Sequence, residues 1–175
     1  MPLRSSFEEK YTFGLAGECR IAQWLRSKGN GVLPVYEKIV DSGKGPRLFL
    51  PDKELIVPDL FVFNRQRSLW IEAKHKTAFT WHRKTNKWVT GIDLRHYHDY
   101  LEIMEDTPWK VWLLFLQEGG QAKDSPPNSP AGLFGNDLAF LSKHESHQHE
   151  NGGTDGMVYW ANQALIRLAP LDALP

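Results

Sequence analysis

Residues 55–76 read LIVPDLFVFNRQRSLWIEAKHK. Two runs of apolar, β-branched and aromatic residues flank a polar turn, the pattern of a buried β-hairpin. Asp59 interrupts the first arm, and Glu72 and Lys74 interrupt the second. An ion without a partner is among the costliest groups a core can bury, so three charges here need a reason. A turn at Arg65–Gln66, or the wider Asn64 to Arg67, pairs Phe63 with Ser68, Phe61 with Trp70 and Asp59 with Glu72. Opposed side chains share a face, with Cβ atoms about 4.5–5.5 Å apart. Alternation sends Lys74 and Lys76 to that face, and Leu69, Ile71 and Ala73 to the other. Two carboxylates so placed repel by roughly 3 kcal/mol at an effective dielectric of about 20. A hard divalent cation between them removes the repulsion; Mg²⁺ usually takes one or two carboxylates and keeps several waters. The other reading is a structural acid–lysine ion pair on a half-exposed sheet face. A three- or five-residue turn would also shift the register and undo the pairing.

At 175 residues the chain fits one domain with a core of its own. Its 21 Lys and Arg balance 21 Asp and Glu, so any attraction to nucleic acid or lipid must be local. Cys19 has no second cysteine to pair with, which suits a reducing compartment. The opening MPLRSSFEEK lacks the apolar core of a signal peptide, and VWLLFL is far short of a bilayer crossing. A soluble cytoplasmic protein without a membrane partner is expected.

Ser6 followed by Glu9 reads as a capping box, opening a helix that runs to about Lys28 and ends at Gly29–Gly31. Val32–Val40 is a first strand, residues 41–47 a turn, and the hairpin follows. Residues 75–91 read as a polar, basic loop. A second helix spans Ile92–Glu105, with Leu94, Tyr97, Leu101 and Met104 at helical spacing. Pro108 stops it before a fourth strand, Trp109–Gln117. A Gly/Pro-rich excursion (118–136), a polar His-rich tract (142–156), a short strand (157–161) and a closing helix or loop (162–171) complete the chain. The order α-β-β-β-α-β predicts an α/β fold with a mixed central sheet flanked by helices. The expected organisation is a single domain with its core at about 5–116, a loop region at 117–156 and a C-terminal strand and tail at 157–175.

Glu18 falls among Tyr11, Leu15, Ala22 and Leu25, on the apolar stripe of the first helix. Gly14 and Gly17 beside it would let that helix approach a sheet closely. Either Glu18 sits at the stripe's edge and reaches water, or a third carboxylate is aimed at the hairpin.

Pro58-Asp59, twelve intervening residues, then Glu72-Ala73-Lys74 resembles the signature of the PD-(D/E)XK nuclease superfamily, the restriction-endonuclease-like and Holliday-junction-resolvase-like enzymes. Glu18 resembles the helical glutamate that often accompanies it. Two further partial copies, Pro51-Asp52 and Glu8-Glu9-Lys10, lie in a turn and an opening helical turn, without the hairpin context. The resemblance covers residues 5 to about 116 and implies an α-β-β-β-α-β core and a Mg²⁺- or Mn²⁺-dependent nuclease acting on DNA. It implies that Asp59 and Glu72 bind the metal, with the Ala73 carbonyl as an extra ligand. Lys74 would orient or deprotonate the attacking water and counter charge at the scissile phosphate, and Glu18 would complete the metal shell directly or through water. Exonuclease-type members carry Gln-x-x-x-Tyr on the following helix. Here Tyr100 is correctly spaced, but His96 stands in place of the glutamine.

Ala73 to Ile92 holds five Lys or Arg residues and no acid. Trp81, Arg83, Lys84, Lys87 and Trp88 interleave cations with aromatics, the residue types that neutralise phosphates and stack on bases. With Lys76 and Tyr100 they form the expected nucleic-acid-binding set; an ordinary solvated basic loop is the plainer reading. His144, His147, His149 and Glu150 lack the paired spacing of a structural zinc site and are expected to lie in a flexible loop. His75 is expected to be packed or exposed rather than catalytic, and helix 2 could turn His98 toward the cleft. Cys19 is expected to be buried. Cutting both strands of a duplex would favour a homodimer. A non-catalytic nucleic-acid-binding module with this fold, or an interaction protein with no nucleic-acid role, are the alternatives.

Overall fold

The computed structural model describes residues 7–35, 46–122, 124–150 and 156–175. Helix α1 (Phe7–Ser27) starts where the capping-box pattern predicts, although Ser6 lies outside the described residues. It ends in a Schellman motif: Asn30 N–H donates to Leu25 O, Gly29 N–H donates to Arg26 O, and Gly29 has φ +83°. Strand β1 (Gly31–Pro34) follows, shorter than the predicted Val32–Val40, of which Tyr36–Val40 fall outside the described residues.

The hairpin arms form with the predicted register, but the first arm is divided. Strands β2 (Arg47–Phe49) and β3 (Glu54–Ile56) make their own small sheet around the Pro51–Asp52 turn. After Pro58, which has no N–H to donate, the chain re-enters as β4 (Leu60–Phe63), antiparallel to β5 (Ser68–Lys76). Asn64 Oδ1 closes the turn by accepting from Gln66 N–H and Arg67 N–H at 2.9 and 3.1 Å, the local bond that suits asparagine to turns.

Of residues 75–91, predicted as a loop, His75 and Lys76 extend β5 and the rest form a hairpin. Strand β6 (Thr80–His82) pairs with β7 (Lys87–Asp93), which also takes Ile92 and Asp93 from the predicted start of the second helix. Tryptophans on opposing strands overrode the polar composition, Trp81 and Trp88 meeting edge to face at 5.0 Å. Asp93 caps α2 (Leu94–Asp106), accepting from Arg95 N–H. Its buried face is Leu94, Tyr97, Tyr100 and Ile103; Leu101 and Met104 sit at the edge of the core. The chain returns as β8 (Lys110–Gln117), parallel to β5.

The region after Gln117 contributes more than the sequence suggested. Gly132–Asp137 is β9, followed by the short helix α3 (Leu138–Leu141). His147–Glu150, predicted as flexible loop, is β10, pairing with β11 (Gly156–Ala161). Ile166–Ala169, predicted as helix or loop, is β12. The central sheet runs β1-β4-β5-β8-β9-β12 and a second sheet runs β10-β11-β7-β6. Along the first sheet the order α1-β1-β4-β5-α2-β8 is the α-β-β-β-α-β core, so the fold is α/β with a mixed central sheet.

One core joins α1 to Leu69, Ile71 and Ala73 of β5; the other packs α2 and the second sheet on the opposite face. Gly17 is the point of closest approach, since a Cβ there would lie 2.3 Å from His75 Cβ, whereas Gly14 has open space around it. Among the described residues no helix is long and apolar enough to cross a membrane.

Candidate active site

Strand pairing between β4 and β5 stops at Leu60 and Ile71. Just beyond, Asp59 takes over the ladder with its side chain: Oδ2 accepts from Ala73 N–H at 3.0 Å. A strand residue's N–H and C=O leave on the same edge, so the Ala73 carbonyl also faces this gap rather than β8. Glu72, 1% exposed, points from the α2 face of β5, and its Oε2 accepts from Tyr100 Oη at 2.6 Å. The Lys74 ammonium contacts Glu72 Oε1 and lies 4.0 Å from Asp59 Oδ2. The three charges of the hairpin thus converge, with the lysine already between the carboxylates.

Glu18 is half-buried and feels the charges of Lys74 and Glu72; burial, the larger influence, raises its carboxyl above the usual range. It lines a cleft of about 310 Å³ with Asp59, Gly14, Cys19, Pro34 and Val35. The stripe that located it is only partly right. Tyr11 and Leu15 are 64% and 43% exposed, and the buried side of α1 is Gly17, Ile21 and Leu25. Cys19, expected to be buried, is exposed.

The electrostatics divide the acids. Burial and then Glu72 raise Asp59 to about 8, so at neutral pH it holds a proton much of the time. Burial pushes Glu72 up as well, but Lys74, Tyr100 and His96 outweigh it and hold Glu72 below the usual range. Burial would lower Lys74, yet Glu72 and Asp59 overrule it and hold the ammonium above ordinary lysine. Lys76 goes the other way, lowered by burial and by Lys74.

Hard oxygen donors are present for a cation. Glu72 Oε1 is buried, and among the described residues its one partner is the Lys74 ammonium. Against this, no group of three or more His, Cys, Asp or Glu among the described residues is disposed to hold a metal. Two carboxylates and a carbonyl are nonetheless oxygen donors of the kind a hard divalent ion takes together with water, and Lys74 would have to give way for one.

The expected nucleic-acid set separates. Lys76, Trp81 and Trp88 are half-buried, while Arg83, Lys84 and Lys87 are exposed near the β6–β7 turn. Arg83 already pairs with Asp124 at 2.9 Å. Tyr100 is 1% exposed and serves Glu72, so it is removed from the binding set. His98 is exposed beside Tyr97, away from the carboxylates. His147 stacks between His82 and Tyr159, apart from any metal cluster.

Sequence reasoning placed His75 off the site but missed its role in holding α1. Its ring stacks on Phe13 with centroids 3.7 Å apart and bonds Phe13 O and Glu118 Oε1, each at 2.6 Å. It also missed His96, whose buried Nδ1 has no hydrogen-bond partner among the described residues and whose ring lies 6.0 Å from that of Tyr100. The Gln-x-x-x-Tyr spacing was the signal available for it.

No family model matches this sequence, and no curated protein does. Among solved structures it is similar to Hjc of Archaeoglobus fulgidus, a Holliday junction resolvase from an archaeal hyperthermophile. The TM-score is 0.48 at 10% identity, over 86% of this chain and 90% of that one. A likeness of this size carries no inference about activity.

Proposed function

We propose that this protein is a divalent-metal-dependent nuclease that hydrolyses phosphodiester bonds in DNA. The observation that carries the reading is the convergence of Asp59, Glu72 and Lys74 where β4 leaves β5, with Glu18 facing them from α1. Asp59, Glu72 and the Ala73 carbonyl would hold Mg²⁺ or Mn²⁺, with Glu18 joining directly or through water. Bound there, the ion would make water a stronger nucleophile at neutral pH and offset charge developing on the phosphate.

The chain's own groups prepare that chemistry. Ala73 N–H and Tyr100 Oη fix one oxygen of each acid, so neither carboxylate must reorganise when substrate arrives. Lys74 keeps its proton beside the two acids in the metal-free chain; with metal bound it would orient or deprotonate the attacking water and counter charge at the phosphate. Lys84 and Lys87 are exposed cations for the duplex backbone, and Arg83 can exchange Asp124 for a phosphate.

A non-catalytic nucleic-acid-binding module is the second reading. It is favoured by the Lys74–Glu72 pair, which balances charge without a metal. Incubation with linear, circular, branched and single-stranded DNA, and with RNA, in Mg²⁺, Mn²⁺ or EDTA separates the two. Divalent-dependent cleavage that is lost in Asp59→Asn supports the nuclease. Binding that persists in EDTA, with no cleavage under any condition, supports the module.

A further inference from the structure

The described residues leave the α1 side of the central sheet partly uncovered. Between the end of α1, the β4–β5 turn and β8 lies a cleft of about 290 Å³, walled by Trp24, Leu69, Trp112 and Leu168. Phe63 at its mouth is 47% exposed. Among its described lining residues stand two cations, Lys28 and Arg67, and no acid. Both cations are exposed, and neither forms an ion pair among the described residues. Lys28 lies over the Trp24 ring, 5.8 Å from its centroid.

The polar groups of the cleft are already used. Asn64 Nδ2 donates to Asn30 Oδ1 at 3.1 Å, Asn64 Oδ1 accepts two backbone N–H groups, and Asn30 Nδ2 donates to Leu25 O. A nucleobase seated here would therefore leave its polar edge unpaired between aliphatic walls, which is costly. A second copy docked about a two-fold axis would lay the patch on itself and set Lys28 and Arg67 against their counterparts. An acidic peptide with one apolar side chain has neither defect. The anchor fills a space at or just below the small end of ligand-sized clefts, about 300 Å³, and its acids meet the two free cations.

We propose that this cleft docks an acidic, aromatic-anchored segment of a partner protein. Leu69 and Ile71 face the cleft from β5, whereas Glu72 packs on the opposite face. The partner would thus be recruited without covering Glu72. The proposal stands apart from the nuclease reading, since it uses none of the same side chains.

The probe is a short fluorescein-labelled peptide, rich in aspartate with a single phenylalanine, titrated with the full chain by fluorescence polarisation at low and physiological salt. Saturable binding is expected, weakened at least about tenfold, or 1.4 kcal/mol, by Phe→Ser in the peptide. The double variant Lys28→Glu/Arg67→Glu should weaken it as much while circular dichroism and melting stay as in the parent, both positions being exposed. Indifference to the phenylalanine, or to the charge reversal, overturns the proposal. So does tighter binding of a single-stranded oligonucleotide that depends on Lys28 and Arg67, or a dimer in sedimentation that the double variant abolishes.

Discussion

Tyr100 Oη donates to Glu72 Oε2 at 2.6 Å, joining α2 to β5 through two side chains that are each 1% exposed. The bond fixes the rotamer of an acid held ionised in the core. Tyr100→Phe removes the donor and leaves a buried carboxylate oxygen unsatisfied, which costs about 1–3 kcal/mol. Denaturant unfolding should show that loss with an unchanged slope. A variant as stable as the parent would mean that Lys74 alone holds Glu72.

Glu18→Gln tests the third acid. If Glu18 joins the metal shell, the variant should fold normally and need more Mg²⁺ for both activity and thermal stabilisation. If the helix merely exposes it to water, stability should change by no more than about 0.5 kcal/mol and the Mg²⁺ titrations should superimpose.

The β6–β7 hairpin is tested through salt. Lys84→Ala and Lys87→Ala should each lower the log–log slope of duplex binding by about 0.9 if each meets one phosphate. Arg83→Ala should do the same, with a smaller loss of affinity, because binding must first break the exposed Asp124 pair, worth about 0–1 kcal/mol. Unchanged slopes in all three would remove the hairpin from the binding surface.

The core was legible where periodicity and special residues agreed. Alternation fixed the faces of β5, and a polar turn with Asn64 set the hairpin register. Gly29 marked the end of α1. What failed was composition: residues 77–93 and 147–150 are polar, yet they pair as strands because Trp81, Trp88 and Tyr159 supply cross-strand partners. Such long-range pairing is invisible in a local window. The convergence of Asp59, Glu72 and Lys74, the candidate site, was legible because charges in an apolar hairpin stand out. Lys74's place between the acids was not, since it depends on β4 stopping at Leu60. Glu18 was found through a stripe whose outer members, Tyr11 and Leu15, are exposed.

The last prediction concerns Asp59 and pH. Burial first, and Glu72 second, raise its pKa from 3.8 to about 8. Between those values the folded chain keeps a proton that the unfolded chain releases, so this group's stabilising contribution is full below pH 3.8 and is lost as pH rises through about 8. The metal-free parent should therefore lose stability across neutral pH. A cation competes with that proton, so the rise in melting temperature produced by excess Mg²⁺ should grow from acid pH toward about 8 and then level off. Asp59→Asn has no such proton. It should melt at or above the parent in EDTA, because Lys74 keeps its contact with Glu72, and it should gain nothing from Mg²⁺. A structural ion pair predicts the opposite: Asp59→Asn melting lower in EDTA, and a parent indifferent to Mg²⁺ at every pH. Melts of both proteins across that range, in EDTA and in excess Mg²⁺, decide between a metal site and a scaffold.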